Sequence, residues 1–140
     1  MRIALVYPEE SRKLQSIAAG LQSVFQDAGH SVQQMAVGSN TGGSSLYACD
    51  LAVVGSSISG FLGGKFSPII AAFLQKSTGL ERKKVAVFVS PHVFSVTKGT
   101  RRLMQALEQR GAFVFDFRTI RSTHEAQEFG KKILAAAARK

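Results

Sequence analysis

Residues 6 to 14, Val-Tyr-Pro-Glu-Glu-Ser-Arg-Lys-Leu, lead from an apolar run into an amphipathic one through a handful of polar residues. Such strand-to-helix junctions hold phosphate in many α/β domains, because the first N–H groups of a helix are unpartnered and its dipole favours an anion. Ser11 is well placed as an N-cap, and Arg12 and Lys13 add positive charge. Three neighbours argue the other way: Pro8 has no N–H, and the carboxylates of Glu9 and Glu10 repel a phosphate. At a helix start those acids complement the dipole instead, an effect of about 0.3–1 kcal/mol each. A second run of hydroxyls and glycines, Gly38 to Ser45, could serve as a substitute phosphate nest, although Gly/Ser loops are usually only flexible.

Other chemistries are excluded by spacing. Cys49, His30, His92 and His124 lack metal-ligand spacing, and no serine is paired as in a hydrolase triad, so no catalytic or metal-binding residue is assigned. The run from Gly60 to Phe66 is one residue short of a phosphate-binding P-loop and ends in Phe66 where a Ser or Thr is required. No Gly-x-Gly-x-x-Gly opens a helix after the first strand. A receiver domain needs an Asp ending strand 3 and a Lys after strand 5, where this chain has Ser56, Ser57 and Arg118.

The elements that position these loops alternate. Residues 2–7, 51–56 and 84–90 are short, β-branched, nearly continuous apolar runs, the pattern of parallel strands covered on both faces. Residues 31–37 and 112–117 alternate more and read as edge strands. Leu14, Ile17, Ala18, Leu21, Val24, Phe25 and Ala28 form one helical stripe ending at Gly29. Pro68 suits the first turn of a second helix, closed by Gly79. Residues 100–111 give a third, with Leu103, Met104 and Leu107 inward and Gly111 as terminator. Ser122 and Glu125 have capping-box spacing ahead of a fourth carrying Ala126, Phe129, Ile133 and Ala137. The thirteen residues from Gly38 to Asp50 suffice for a crossover with one turn around Leu46 and Tyr47. Right-handed crossovers then predict a three-layer α/β/α sandwich, its five-stranded parallel sheet in the order 2-1-3-4-5, with a crevice between strands 1 and 3.

Composition bounds the rest. At 140 residues and 45% apolar content, one domain spanning residues 1–140 can bury roughly 65–70% of its unfolded surface. No apolar run approaches the ~20 residues of a membrane span, and the single Cys49 fits a reducing compartment. The expected location is the cytoplasm. The net charge of +9 lies in the second half: residues 1–75 carry four basic and four acidic side chains, residues 76–140 fourteen and five. Such asymmetry favours an acidic partner.

At this point the chain resembles the flavodoxin-like family over nearly its whole length. The resemblance is carried by residues 49–90, with Asp50, a strand ending Gly55-Ser56, an Ala-Phe-Leu helix and a Lys-Lys-Val-Ala-Val-Phe strand, and by the helices at 99–115 and 125–138. It implies an FMN-binding electron-transfer protein; such flavodoxins are generally acidic and meet basic partners, and the basic charge of this chain makes the expected redox partner acidic instead. Carried over residue by residue, it places the ring beside a loop running Gly55, Ser56, Ser57, Ile58, Ser59, Gly60 and Phe61, where Phe61 packs on the ring. Backbone amides and an aromatic wall come from Ser90, Pro91, His92, Val93 and Phe94. The phosphate falls to Ser11 and Arg12, in a loop about four residues shorter than the Ser-x-Thr-Gly-Asn-Thr form typical of FMN-binding members. The alternative is a flavodoxin-fold module that has lost FMN and uses Arg101, Arg102, Lys131 and Lys132 to bind an acidic protein or nucleic acid. No nucleic-acid-reading motif supports the latter partner.

Overall fold

The structure is a computed structural model that describes residues 1–59, 65–91 and 96–138. Its elements run β1 Arg2–Pro8, α1 Arg12–Asp27, β2 Ser31–Val37, β3 Leu51–Ser59, β4 Lys65–Phe66, α2 Pro68–Lys76, β5 Lys84–Pro91, α3 Val96–Gln109, β6 Phe113–Thr119 and α4 Thr123–Ala137. Five parallel strands lie in the order β2-β1-β3-β5-β6, the expected doubly wound order with the fourth and fifth long strands numbered β5 and β6. The two-residue β4, which the sequence did not signal, folds back antiparallel on the end of β3 through Ile58–Phe66 and Ser59–Lys65.

Alternation along the central strands sends successive side chains to opposite faces, and both faces are covered by helices. On one side Ile3, Leu5, Val53 and Phe88 meet Leu14, Leu21 and Phe25 of α1 and Phe129 and Ile133 of α4. On the other, Ala4, Val54, Val85 and Val87 meet Ile70, Phe73 and Leu74 of α2 and Leu103 and Leu107 of α3. This explains the continuous apolar runs: neither face of β1, β3 or β5 sees water. Helices α1 and α4 approach closely because Gly20 and Gly130 face the partner, where a Cβ on Gly130 would lie 3.1 Å from Val24 Cγ1.

The helix boundaries follow local chemistry. Ser11, Ser67 and Ser122 each cap a helix start, their hydroxyls accepting the N–H groups of Leu14, Ile70 and Glu125. The Glu125 carboxylate accepts the N–H of Arg121 at 3.1 Å, one residue earlier than a reciprocal capping box would have it. Helix α1 ends at Gly29 in the left-handed conformation, φ +89°, while His30 N–H reaches back to Phe25 C=O at 3.0 Å.

Three local expectations are corrected. Ala28 is the C-cap of α1 and exposed, since the inward stripe ends at Phe25. Helix α2 ends at Lys76 with Ser77 as its cap, so Gly79 does not close it; its φ of +87° instead brings the chain against the crossover, where a Cβ would lie 2.5 Å from Tyr47 N. Helix α3 begins at Val96, four residues earlier than its apolar period indicated.

The crossover between β2 and β3 contains no helix. Ser45 bridges to Thr78, Leu46 N–H donates to Thr78 C=O at 2.8 Å, and Cys49 N–H closes a turn onto Leu46 C=O at 3.1 Å. Leu46 is thereby buried under α2, and Tyr47 is exposed. At the far border of the sheet, β6 carries an irregularity opposite Val85 and Ala86, with Phe115 as the unmatched residue. Beside it, Asp116 Oδ1 accepts the N–H of Phe117 at 2.8 Å.

Candidate functional site

Because the long strands are parallel, the ends of β1, β2, β3 and β5 gather on one rim. Pairing there is uneven. β1 stays paired to β2 as far as Pro8–Val37, and β3 to β5 as far as Ile58–Pro91. Between β1 and β3 it stops at Val6–Val54. The ladder between β1 and β3 is therefore open beyond Val6 and Val54, at the buried Tyr7 and Gly55. This is the topological switch point, where open α/β sheets take their ligands.

The β3 wall of that opening is built tightly. A Cβ on Gly55 would lie 2.1 Å from Cζ of Phe88, so the side chain is missing because the Phe88 ring occupies its place on the α1 and α4 face. Ser56 points to the opposite face and is fully buried. Its hydroxyl accepts the N–H of Ser67 at 2.8 Å and donates to Ser57 C=O at 2.9 Å, tying β3 to the start of α2. Ile58 is fully buried against α3, where a Cβ on Gly99 would lie 2.3 Å from its Cγ2. Thus Ser56 and Ile58 offer a ligand backbone only. Ser57 is half-buried at the edge of the opening, and its β5 partner is the buried Ser90. The backbone of Ser59 and Pro91 continues these two strands onto the rim. Gly60, Phe61, His92, Val93 and Phe94 lie outside the described residues.

The Ser56 to Ser67 hydrogen bond was not foreseen, although a serine directly before a proline at a helix start is a signal for an N-cap. Replacing Ser56 with Ala leaves the Ser67 N–H buried without an acceptor. Urea denaturation should show a loss of about 1–3 kcal/mol, against a negligible change for Ser16→Ala on the exposed face of α1.

The β1 wall ends in the loop Pro8 to Ser11, where the N–H groups of Glu9 and Ser11 turn inward. Glu9 N–H bonds Val37 C=O at 2.8 Å, Ser11 N–H bonds Pro8 C=O at 3.3 Å, and the Ser11 hydroxyl accepts from Leu14 N–H at 3.1 Å. Pro8 has no N–H. Arg12 and Lys13 are exposed. The Glu9 carboxylate lies against Gly38 at the end of β2, where a Cβ would come 2.2 Å from Oε1. The Gly38 loop is closed on itself as well: Gly38 N–H donates to Thr41 Oγ1 at 2.9 Å, and Thr41 N–H to Gly38 C=O at 3.1 Å. FMN asks two things of this rim, an opening for a flat ring and donors for a phosphate. The β1–β3 ladder ends at that point, and of the loop donors the N–H groups of Glu9, Ser11, Gly38 and Thr41 are engaged within the protein.

Several hollows lie elsewhere. One of about 550 Å³ sits at the opposite end of the sheet beside Tyr47, Cys49 and Arg82, away from the crevice. Cys49 is buried there, and burial pushes its thiol up from the ordinary range while nearby Lys83 pulls it down. That is an inert environment rather than a nucleophile's. Another, of about 430 Å³, runs between α3 and β6 beside Arg101, Met104, Phe117 and Thr119. Among the described residues no three His, Cys, Asp or Glu side chains are grouped to hold a metal, and no helix is long and apolar enough to cross a membrane.

This architecture, with its order of strands and its opening at the switch point, is the flavodoxin-like fold. The chain is similar in structure to oxidised flavodoxin 1 from Bacillus cereus, with a TM-score of 0.74, 17% sequence identity and coverage of 96% of this chain and 98% of that one. It is equally similar to the two-electron reduced flavodoxin of Megasphaera elsdenii, with a TM-score of 0.76 and 19% identity over 99% of both chains. A flavodoxin from the domain Archaea matches with a TM-score of 0.74 and 19% identity over 98% of this chain and 99% of that one. No protein-family profile and no curated protein sequence matches the chain.

Proposed function

We propose that this flavodoxin-fold protein carries electrons through a flavin seated at the switch-point crevice, with FMN the flavin named by the resemblance. The observation that carries the reading is the parting of β1 and β3 beyond Val6 and Val54 while both neighbouring strand pairs continue to the rim. The likeness to flavodoxins described in oxidised and in reduced form supports it. In flavoproteins the flavin supplies the redox chemistry, and the protein supplies position and field. Here the field is set by the basic second half, which favours an acidic redox partner and stabilises negative charge on a reduced ligand. A cytoplasmic setting accords with the single buried cysteine.

The test is direct. Protein mixed with FMN and passed through a desalting column should emerge yellow, and titration into dilute FMN should quench flavin fluorescence. A colourless eluate with unquenched flavin would falsify the reading.

A second reading is favoured by the loop after β1, where the N–H groups of Glu9 and Ser11 are engaged, Pro8 has none, and Glu9 closes onto Gly38. On it, the chain holds no cofactor and binds an acidic protein through its basic half, where the groove beside Arg101 and Phe117 lies. It predicts unquenched FMN together with retention on an acidic partner that weakens steeply between low and moderate salt.

A further inference from the structure

We infer that the end of the sheet opposite the rim is a docking surface for an acidic segment of a partner protein, with Arg82, Lys84 and Tyr47 as its contact residues. A flavin at the rim is not required for it, because the hollow that these residues line lies at the starts of β3 and β5.

Two independent observations meet there. The first is backbone strain. Among the described residues Arg82 is the one non-glycine with a positive φ, +62°. That conformation crowds the Cβ of an L residue against its following carbonyl, and glycine adopts it freely. Three hydrogen bonds hold the chain in it: Lys83 N–H closes the turn onto Leu80 C=O at 3.0 Å, Arg82 N–H reaches Gly111 C=O at 2.7 Å, and Phe113 N–H reaches Lys83 C=O at 2.8 Å. What arginine adds, where glycine would be relaxed, is its guanidinium. Strain of this kind collects at functional positions.

The second is what the side chains around the hollow leave unmade. Lys83 is committed, its ammonium donating to Cys49 C=O. Arg82 and Lys84 are exposed, and among the described residues their charged groups have no hydrogen bond or ion pair. Tyr47 stands on the same hollow with 70% of its surface exposed. Tyrosine and arginine are among the residue types that carry most of the affinity in protein interfaces, and a guanidinium can hold a carboxylate through two parallel hydrogen bonds. The hollow is bounded by three cations, Arg82, Lys83 and Lys84, and two acids, Asp50 and Glu81. Its positive balance selects an acidic occupant. The two carboxylates select against a uniformly charged one: nucleic acid would bring phosphate after phosphate to them, whereas a protein segment can set a neutral residue opposite each.

The probe is a fluorescein-labelled synthetic peptide of glutamates with a single central phenylalanine. Fluorescence anisotropy with the full chain at low salt should show saturable binding, and amide NMR signals should move at Tyr47, Arg82 and Lys84. Arg82→Gly should weaken the peptide by about fivefold or more while raising the thermal midpoint by about 3 °C, because it removes the guanidinium and the strain together. Tyr47→Ala should weaken it to a similar degree. Lys131→Ala, which takes one exposed cation from α4, should stay within about twofold. Absence of saturable binding, NMR changes confined to other parts of the chain, or an equal loss in Lys131→Ala overturns the docking surface. A lowered midpoint in Arg82→Gly overturns the part given to strain. Tighter binding of a single-stranded oligonucleotide of equal charge at the same amides overturns the choice of a protein partner.

Discussion

Replacing Gly55 with Ala should destabilise the protein by about 3 kcal/mol, at the upper end of what overpacking a core costs. A single added methyl would stand 2.1, 2.3 and 2.7 Å from three atoms of the Phe88 ring. That ring is fully buried between β5 and the α1 and α4 layer, so it has no solvent to retreat into. For a chain of this size the loss should lower the thermal midpoint by roughly 10 °C, at about 3 °C per kcal/mol. The cause can be isolated by trimming the ring. In Phe88→Leu the obstruction is gone, and Gly55→Ala added to it should cost about 1 kcal/mol or less, a coupling that only contacting residues show. Full additivity of the two changes would mean that the glycine is needed for something other than room for Phe88. The same result bears on the site, because Gly55 marks the point where β3 leaves β1.

Truncating Phe129 to Ala should cost about 3–5 kcal/mol, the range for removing a buried aromatic side chain. Phe129 is fully buried in α4, in the cluster that includes Ile3, Phe25 and Ile133, and the Arg118 guanidinium lies 5.5 Å above its ring. Phe129→Leu keeps most of the volume and should recover more than half of the loss. Arg118→Ala should cost about 0.5–1 kcal/mol, the value of a cation over an aromatic face at a partly exposed site. Chemical denaturation of the three variants separates packing from the cation contact. If Arg118→Ala matched Phe129→Ala, the ring would be serving the arginine rather than the core.

The sheet was legible from sequence because its cause is local. A strand buried on both faces must be apolar at nearly every position, and residues 2–7, 51–56 and 84–90 are. The helix stripes were legible for the same reason, since Leu14, Ile17, Leu21 and Phe25 recur at the helical period and all four are buried. The start of α3 was not, because Thr97 and Lys98 are exposed and carry no apolar period. The two-residue β4 has no pattern of its own. At the rim, the composition of the first loop already argued against a phosphate through Pro8, Glu9 and Glu10. Which way its donors turn depended on contacts with Val37, Gly38 and Thr41, residues about thirty positions away that nothing local couples to it. The reason for Gly55 was hidden in the same way, since Phe88 lies thirty-three residues on and meets it only once β3 and β5 are paired.

The outer strand β6 has a consequence of its own. Phe113 and Phe117 are largely exposed on it, at 62% and 55%, and a bare border of this kind invites a second chain to add itself edge to edge. Two features described above make the invitation a poor one. The extra residue at Phe115 spoils the regular repeat that an incoming strand would have to match, and the Asp116 carboxylate both caps the Phe117 N–H and sets a negative charge beside it. An otherwise sticky flank thus offers an incoming strand a poor template, through one misfit residue and one acid.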